Sequence, residues 1–321
     1  MMAPVIPTTT GTRIVRADSA GVEAAVDLLA AGGIVAIPTE TVYGLAADAG
    51  NAAAVAAIYA AKGRPSFNPL IVHVADVHMA ARYGVFSSLA RRLADRFWPG
   101  GLTLVVPAVE NAPVAAAVTA GLPTIALRVP AHPTMQAVIA GLGRGVAAPS
   151  ANASGRLSPT SAEHVRRSLE GRIPLIMDGG ATRAGIESTI VAVTNDGLRL
   201  LRHGAIPLEE VTAASGMDIS VAAEGDAVAA PGMLLRHYAP RLPLVLNAST
   251  AAPDSFHIGF GAIQGNRNLS PSGDLTEAAS NLFALLHEAE TSGHARIAVA
   301  PIPDTGPGRA IIDRLKRAAR G

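Results

Sequence analysis

AGVEAAVDLLAAGGIVAIPTETVYGL, Ala20 to Leu45, decides the fold class of this chain. Apolar residues recur at helical spacing from Ala20 to Ala31, Gly32-Gly33 stops that helix, and Ile34-Val35-Ala36-Ile37 follows as a short buried strand. The chain then enters Pro38-Thr39-Glu40-Thr41-Val42-Tyr43-Gly44-Leu45, a polar segment directly after a strand, where α/β proteins place ligand-facing loops. Taken alone, its threonines and glutamate also suit a capped helix start. Helix, glycine stop, strand and loop together give a mixed α/β architecture.

The same grammar continues on the C-terminal side. Ala52 to Ala61 is strongly helix-forming, Leu70 to Val74 reads as a strand, Ser88 to Phe97 as a helix and Leu102 to Val106 as another strand. Further strands are expected at Thr124 to Val129, Gly145 to Ala148, Leu175 to Asp178, Thr189 to Val193 and Leu198 to Leu201, with a helix from Ala162 to Leu169. So many short strands with irregular helices predict a twisted mixed sheet. From Ala205 to Ala230 periodicity fades into small residues ending at Pro231-Gly232, which marks an interdomain linker. Beyond Arg241 a smaller α/β unit restarts: strands Leu244 to Leu246, Phe256 to Gly259 and Ile297 to Ala300, and helices Leu275 to Glu290 and Arg309 to Ala319. The final helix carries Arg309, Arg314, Lys316, Arg317 and Arg320 against Asp313, and reads as a solvated basic face near a helix C-terminus.

Composition narrows the chemistry. A chain of 321 residues, 49% hydrophobic and 16% charged, is long enough for two domains with real cores. The absence of cysteine excludes disulfides, thiolate nucleophiles and cysteine-ligated zinc or iron-sulfur centres. Met1 to Thr10 lacks the pattern of a signal peptide, and no apolar run is long enough to span a bilayer, so a cytoplasmic protein is expected. Net charge of +1 leaves the question of a nucleic-acid partner to local geometry.

Lysine is nearly absent: only Lys62 and Lys316 occur among 26 basic residues. Lys62 stands in Lys62-Gly63-Arg64-Pro65, followed by Asn68-Pro69, and pairs a compact ammonium with a planar guanidinium two residues on. That combination suits an anionic ligand whose charge moves during reaction, although alone it would be an ordinary solvated turn. The stretch Ser150-Ala151-Asn152-Ala153-Ser154-Gly155, with Ser158-Pro159-Thr160, offers small donors near an anion; a turn capping the helix at Ala162 explains Ser158 but leaves Asn152 unused. It is not a serine-hydrolase elbow, and neither lysine is followed by the serine or threonine of a phosphate loop. His73, on the strand after Asn68-Pro69, divides evenly between a satisfied core histidine and a ligand. Glu187-Ser188-Thr189, Arg128 and Arg202 lie at or beside strand ends.

In order and spacing these segments resemble the threonylcarbamoyl-AMP synthase family in its longer form, over nearly the whole chain from Thr12. The marks are Pro38 to Leu45, Lys62-Gly63-Arg64-Pro65 with Asn68-Pro69-Leu70, Ser150-Ala151-Asn152 and Glu187-Ser188-Thr189. The long form adds Pro231-Gly232-Met233, Arg236-His237-Tyr238-Ala239-Pro240, Asn268-Leu269-Ser270-Pro271 and Gly306-Pro307-Gly308. The resemblance implies a YrdC-like twisted mixed sheet with flanking helices over residues 12–206, a linker over the active site at 207–240, and a small Rossmann-like α/β domain at 241–321. It implies ATP-dependent formation of L-threonylcarbamoyladenylate from L-threonine and bicarbonate, with release of pyrophosphate, for modification of adenosine beside the tRNA anticodon. Carried over by position, Thr41, His73, Arg128, the backbone of Ala148, and Ser188 would contact L-threonine. Arg64, Asn68, Thr124, Ser150, Ser158, Arg202 and Tyr238 would contact ATP. Lys62, Arg64, Ser150 and Asn152 would form the catalytic centre. Mg²⁺ would enter on the ATP phosphates with no ligand assigned from the protein, and a separate transferase would take the adenylate, with tRNA touched at most indirectly.

Two rivals follow from the same residues. An RNA-binding module using a basic concave sheet is disfavoured by near-neutral charge and 3% aromatic content. A carbamoyl-transfer enzyme of hydrogenase maturation, which shares the YrdC-like domain, is expected to be larger and cysteine-rich.

Overall fold

The computed structural model describes residues 11–194, 197–223, 226, 230 and 238–320. Pro231-Gly232-Met233 and Arg236-His237, expected to belong to the linker, lie outside the described residues. Among the described residues, no helix is long and apolar enough to cross a membrane.

The opening helix runs over Ser19–Ala30, with Asp18 accepting from the Gly21 amide at its start, and the strand after the glycine stop is Val35–Ile37. Alternation then sorts this strand between two cores. Val35 and Ile37 pack with Ala25, Leu29, Val138 and Ile139, whereas Ile34 and Ala36 join the core on the opposite face. A sheet covered on both faces needs apolar residues at successive positions, which is why this strand reads as a continuous run.

Eleven strands lie side by side in the order Arg13–Arg16, Leu175–Asp178, Val35–Ile37, Gly44–Asp48, Val146–Ala147, Ile71–His73, Thr124–Arg128, Leu102–Pro107, Thr189–Thr194, Gly197–Arg202 and Ile219–Val221. Parallel and antiparallel pairs are mixed. A second sheet is wholly parallel, in the order Leu244–Val245, Arg296–Val299, Ser255–Gly259 and Arg267–Asn268, and is flanked by the helices Leu275–Glu290 and Pro307–Ala318. This is the mixed sheet with a small α/β unit that the sequence predicts.

Three differences have physical reasons. Pro38 to Leu45 is a ligand-facing loop only as far as Tyr43, since Gly44–Asp48 turns back as a strand antiparallel to Val35–Ile37. The helix Pro133–Leu142, absent from the sequence reading, has proline in its first turn, Gly143 in the left-handed conformation after it, and buries Met135, Val138, Ile139 and Leu142 at helical spacing. The expected linker begins inside the first unit: Leu208–Ser215 is a helix whose Val211 is fully buried, Arg92 donates to the Ser215 carbonyl at 3.0 Å, and Ile219–Val221 extends the large sheet.

Candidate active site

The cavity opens where strand ends converge. Ile71–His73 and Thr124–Arg128 are parallel neighbours with His73 in register with Arg128, so both side chains leave the same face at the same level. Ile71, two residues before His73, also lines the cavity, which settles the face His73 takes. Arg202 ends its strand just after a register shift between Leu200 and Arg202, and its Nε and Nη2 donate to the Ser188 carbonyl at 3.0 and 2.9 Å. The shift turns Arg202 toward Ser188 and the cavity.

Two glycines make the other wall possible. Gly63 ends the helix Ala52–Lys62 in the left-handed conformation, φ +61°, and swings Arg64 back toward the sheet. Gly44 bridges Ser150, and a Cβ there would sit 3.2 Å from that of Ala148, so the Pro149-Ser150 turn can lie against it. Backbone bonds from Leu45 to Pro149 (2.7 Å) and from Ala151 to Tyr43 (2.8 Å) fasten the two loops. Within the first loop, the Thr39 hydroxyl donates to the Val42 carbonyl at 2.6 Å and lies 2.9 Å from that of Thr41.

Thr39, Thr41, Arg64, His73, Arg128, Ala148, Ser150, Glu187, Ser188, Arg202 and Tyr238 are among the residues that line the resulting cavity, whose free volume is about 40 Å³. That is room for a few waters. All five residues expected to meet L-threonine are there: Thr41, His73, Arg128, Ala148 and Ser188. Of those expected to meet ATP, Arg64, Ser150, Arg202 and Tyr238 line it, whereas Asn68, Thr124 and Ser158 do not. Asn68 is buried, with neither side-chain polar atom hydrogen-bonded, Thr124 is half-buried, and Ser158 is fully buried and donates to Glu187.

Lys62 and Asn152, expected in the catalytic centre, sit behind the wall. Lys62 is 3% exposed and its Nζ donates to the carbonyls of Ser150 and Asn152 at 2.5 Å each. Burial, with Arg64 nearby, pulls its pKa well below the ordinary lysine value. The Asn152 amide donates to the carbonyls of Ala153 and Arg156 at 3.0 and 2.8 Å. Both residues therefore shape the turn that carries Ser150, and Asn152 has the structural use that a capping turn alone did not supply.

The charges are paired in ways the sequence does not show. Arg128, expected to contact L-threonine, lines the cavity, with its Nη2 on Glu40 at 2.7 Å and its Nε on the Gly100 carbonyl at 3.0 Å. Burial would raise the Glu40 carboxyl, but Arg128 more than offsets it and holds the group below the ordinary carboxylate value. Burial, with the Arg128 charge, lowers His73 to about 3, so its imidazole is neutral near pH 7 and its Nδ1 has no hydrogen-bond partner. Burial also brings Arg64 down to about 10. Arg314 departs from the expected solvated face, on which Lys316 and Arg320 are exposed: it is 1% exposed, and its Nε reaches Glu187 at 2.7 Å.

Chemically, this is three guanidinium groups, several hydroxyls and a neutral imidazole around a small space. It can hold anions and hydrogen-bond polar groups, with no built nucleophile and base pair. Among the described residues no cluster of three acidic or histidine side chains could hold a metal ion, and Glu40 and Glu187 are committed to arginines.

Two family models match the chain: one of the Sua5, YciO and YrdC proteins, described as telomere recombination, over residues 27–204, and the threonylcarbamoyl-AMP synthase C-terminal domain over residues 205–320. A threonylcarbamoyl-AMP synthase of Bacillus subtilis is 41% identical, covering 90% of each chain. One of Pyrococcus abyssi is 39% identical, covering 90% of this chain and 91% of its own. The crystal structure of Pyrococcus abyssi Sua5 complexed with L-threonine superposes with a TM-score of 0.88 at 35% identity, over 96% of this chain and 98% of that one.

Proposed function

The chain belongs to the threonylcarbamoyl-AMP synthase family, and from that premise we propose that its cavity joins L-threonine, bicarbonate and ATP into L-threonylcarbamoyladenylate with release of pyrophosphate. The product serves the threonylcarbamoyl modification of adenosine beside the tRNA anticodon, through a separate transferase. The observation that carries the site assignment is the convergence of Thr41, His73, Arg128, Ala148 and Ser188 with Arg64, Ser150, Arg202 and Tyr238 on one cavity.

On this reading Arg128 attracts the threonine carboxylate, which competes with Glu40 for the guanidinium, and Thr41 and Ser188 hydrogen-bond its other polar groups. The amine attacks the bicarbonate carbon as the free base; as the C–N bond forms the C–O bond to the bicarbonate hydroxyl breaks, and that hydroxyl leaves with the amine proton as water, giving the carbamate, while neutral His73 lines that part of the cavity. A carbamate oxygen then attacks the α-phosphorus and the bond to the β-phosphate oxygen breaks. Arg64 and Arg202 offset the charge of the approaching anions and of the departing pyrophosphate, so the protein contributes mainly positioning and electrostatics. Mg²⁺ enters with ATP and supplies charge neutralisation on the phosphates. Lys62 and Asn152 act by holding the Ser150 turn.

Excluding water from the cavity would protect a carbamate that water destroys. The test is pyrophosphate release from ATP with Mg²⁺ and bicarbonate, comparing L-threonine, L-serine and no amino acid. Release that requires both threonine and bicarbonate is expected; release indifferent to either would overturn the assignment.

A further inference from the structure

Arg314 belongs to the helix Pro307–Ala318 of the smaller unit, yet it ends among residues of the cavity wall. Its Nε donates to Glu187 Oε2 at 2.7 Å, its Nη2 to the His203 carbonyl at 2.8 Å and its Nη1 to Asp313 at 2.5 Å. The guanidinium carbon lies 4.9 Å from the centre of the Tyr238 ring, and the Phe283 ring lies 5.7 Å from that same centre. Glu187 and Tyr238 line the cavity; Ser158, fully buried, donates to the other oxygen of Glu187.

We propose that Arg314 is a positioning residue for the nucleotide side of the reaction, fixing Glu187 and Tyr238 from the second unit so that Arg202 stays directed at the incoming phosphates. The assignment of that side rests on the function proposed above.

The argument from charge is direct. Glu187 is buried, and an unpaired buried carboxylate takes the nearest available cation. Arg202 is close enough that its charge, after that of Arg314, helps hold the Glu187 carboxyl below its ordinary value against burial. With Arg314 removed, Glu187 would draw Arg202 toward itself and away from the ligand. Tyr238 adds a second reason. Its φ is +63°, a conformation that bulky residues avoid unless the surroundings enforce it. Arg314 on one side and Phe283 on the other supply that enforcement.

The experiment uses the full chain with Arg314→Met, Arg314→Lys, Glu187→Gln and the Arg314→Met/Glu187→Gln double variant. Binding of α,β-methylene ATP with its Mg²⁺ is read by calorimetry, and pyrophosphate release gives KM for ATP and for threonine. Arg314→Met is expected to weaken nucleotide binding roughly tenfold while the threonine KM stays within about twofold, and adding Glu187→Gln should recover most of the loss. Should Arg314→Met fail to fold, Arg314→Lys, which keeps the charge and loses the fork, is read for the same split. Unchanged nucleotide binding, or equal loss for both substrates with no rescue by Glu187→Gln, would reduce Arg314 to a structural bolt and overturn the proposal. If the wild type binds nucleotide with this pattern yet shows no threonine-dependent release, the proposed reaction fails and the positioning role stands. A wild type that binds no nucleotide overturns both.

Discussion

Lys62 has no exposed side-chain path to a ligand in this arrangement, and its two acceptors are backbone carbonyls of the turn that presents Ser150. Replacing it with alanine therefore removes a support: the Asn152 carbonyl loses its donor, at a cost of about 1–3 kcal/mol, while the Ser150 carbonyl keeps the Asn152 amide at 3.0 Å. Lys62→Ala is expected to lower the thermal midpoint and to cut pyrophosphate release on the order of a hundredfold; normal activity with an unchanged midpoint would show that the turn holds itself. Arg128 belongs to the opposite wall. Arg128→Met strands the buried Glu40 carboxylate and removes the anchor proposed for the substrate, so KM for threonine should rise at least about tenfold. An unaltered threonine KM would transfer the carboxylate contact to another group. Among single residues, Lys62 was marked as special by the rarity of lysine in an arginine-rich chain, but its place behind the wall, on the Ser150 and Asn152 carbonyls, was not legible in the sequence. Nor was Glu40, because its meaning comes from a partner 88 residues away, and neither was Arg314, whose partner Glu187 lies 127 residues away.

Helices and strands were legible wherever burial imposes one period over a whole element: Ser88–Phe97, Ala162–Leu169, Leu175–Asp178 and Leu275–Glu290 fall where periodicity places them. Leu208–Ser215 was not, because its small residues dilute the pattern, though Pro207 before it and Gly216 after it were signals of a helix. Two of the legible helices meet in a contact that periodicity cannot show. His164 and His287 stack with ring centres 3.9 Å apart and planes within 17°. Burial, then Arg167, lowers His164 to about 4, and burial, then His164 itself, lowers His287 to about 3. Arg156 and Arg167 add positive charge around the pair, while Glu163 faces His164 and Glu290 stands 4.0 Å from His287. Above pH 6.5 both rings are neutral whether the chain is folded or not, so they add no pH dependence. Below it the unfolded chain takes up protons that the folded one refuses, and stability falls as pH drops toward the folded values, by up to about 1.4 kcal/mol per pH unit for each ring. Urea midpoints measured from pH 7 to pH 4 should show this slope, and His287→Gln should flatten it. A slope that His287→Gln leaves untouched would remove the stacked pair as its source.

The two sheets are separate, but the second core is not private to the second unit. Val42, Leu157 and Ile186, from loops beside the cavity, pack in one buried cluster with Tyr238, Phe256, Leu282, Phe283 and Ile311. Polar ties run alongside: Ser280 donates to the Arg183 carbonyl at 2.8 Å, His287 meets the Ser158 carbonyl at 3.1 Å, and Arg314 reaches Glu187. A boundary drawn at the fading periodicity after Ala205 separates sequence patterns, but it cuts through this shared core. Burying an aliphatic or aromatic side chain contributes about 1.5–3 kcal/mol, so exposing Val42, Leu157 and Ile186 by deleting the second unit takes several kcal/mol from a domain whose net stability is only of that order. Coupling that large makes the units unfold together. Full-length protein is therefore expected to unfold in urea in a single transition, with intrinsic Trp98 fluorescence, which reports the first unit, coincident with far-ultraviolet dichroism of the whole chain. A chain ending at residue 240 should melt well below the full one and aggregate through the uncovered apolar face. Two resolved transitions, or a truncated chain with an undiminished midpoint, would instead make the second unit a detachable cover, and the Glu187–Arg314 contact would then be its latch and not a part of the common core.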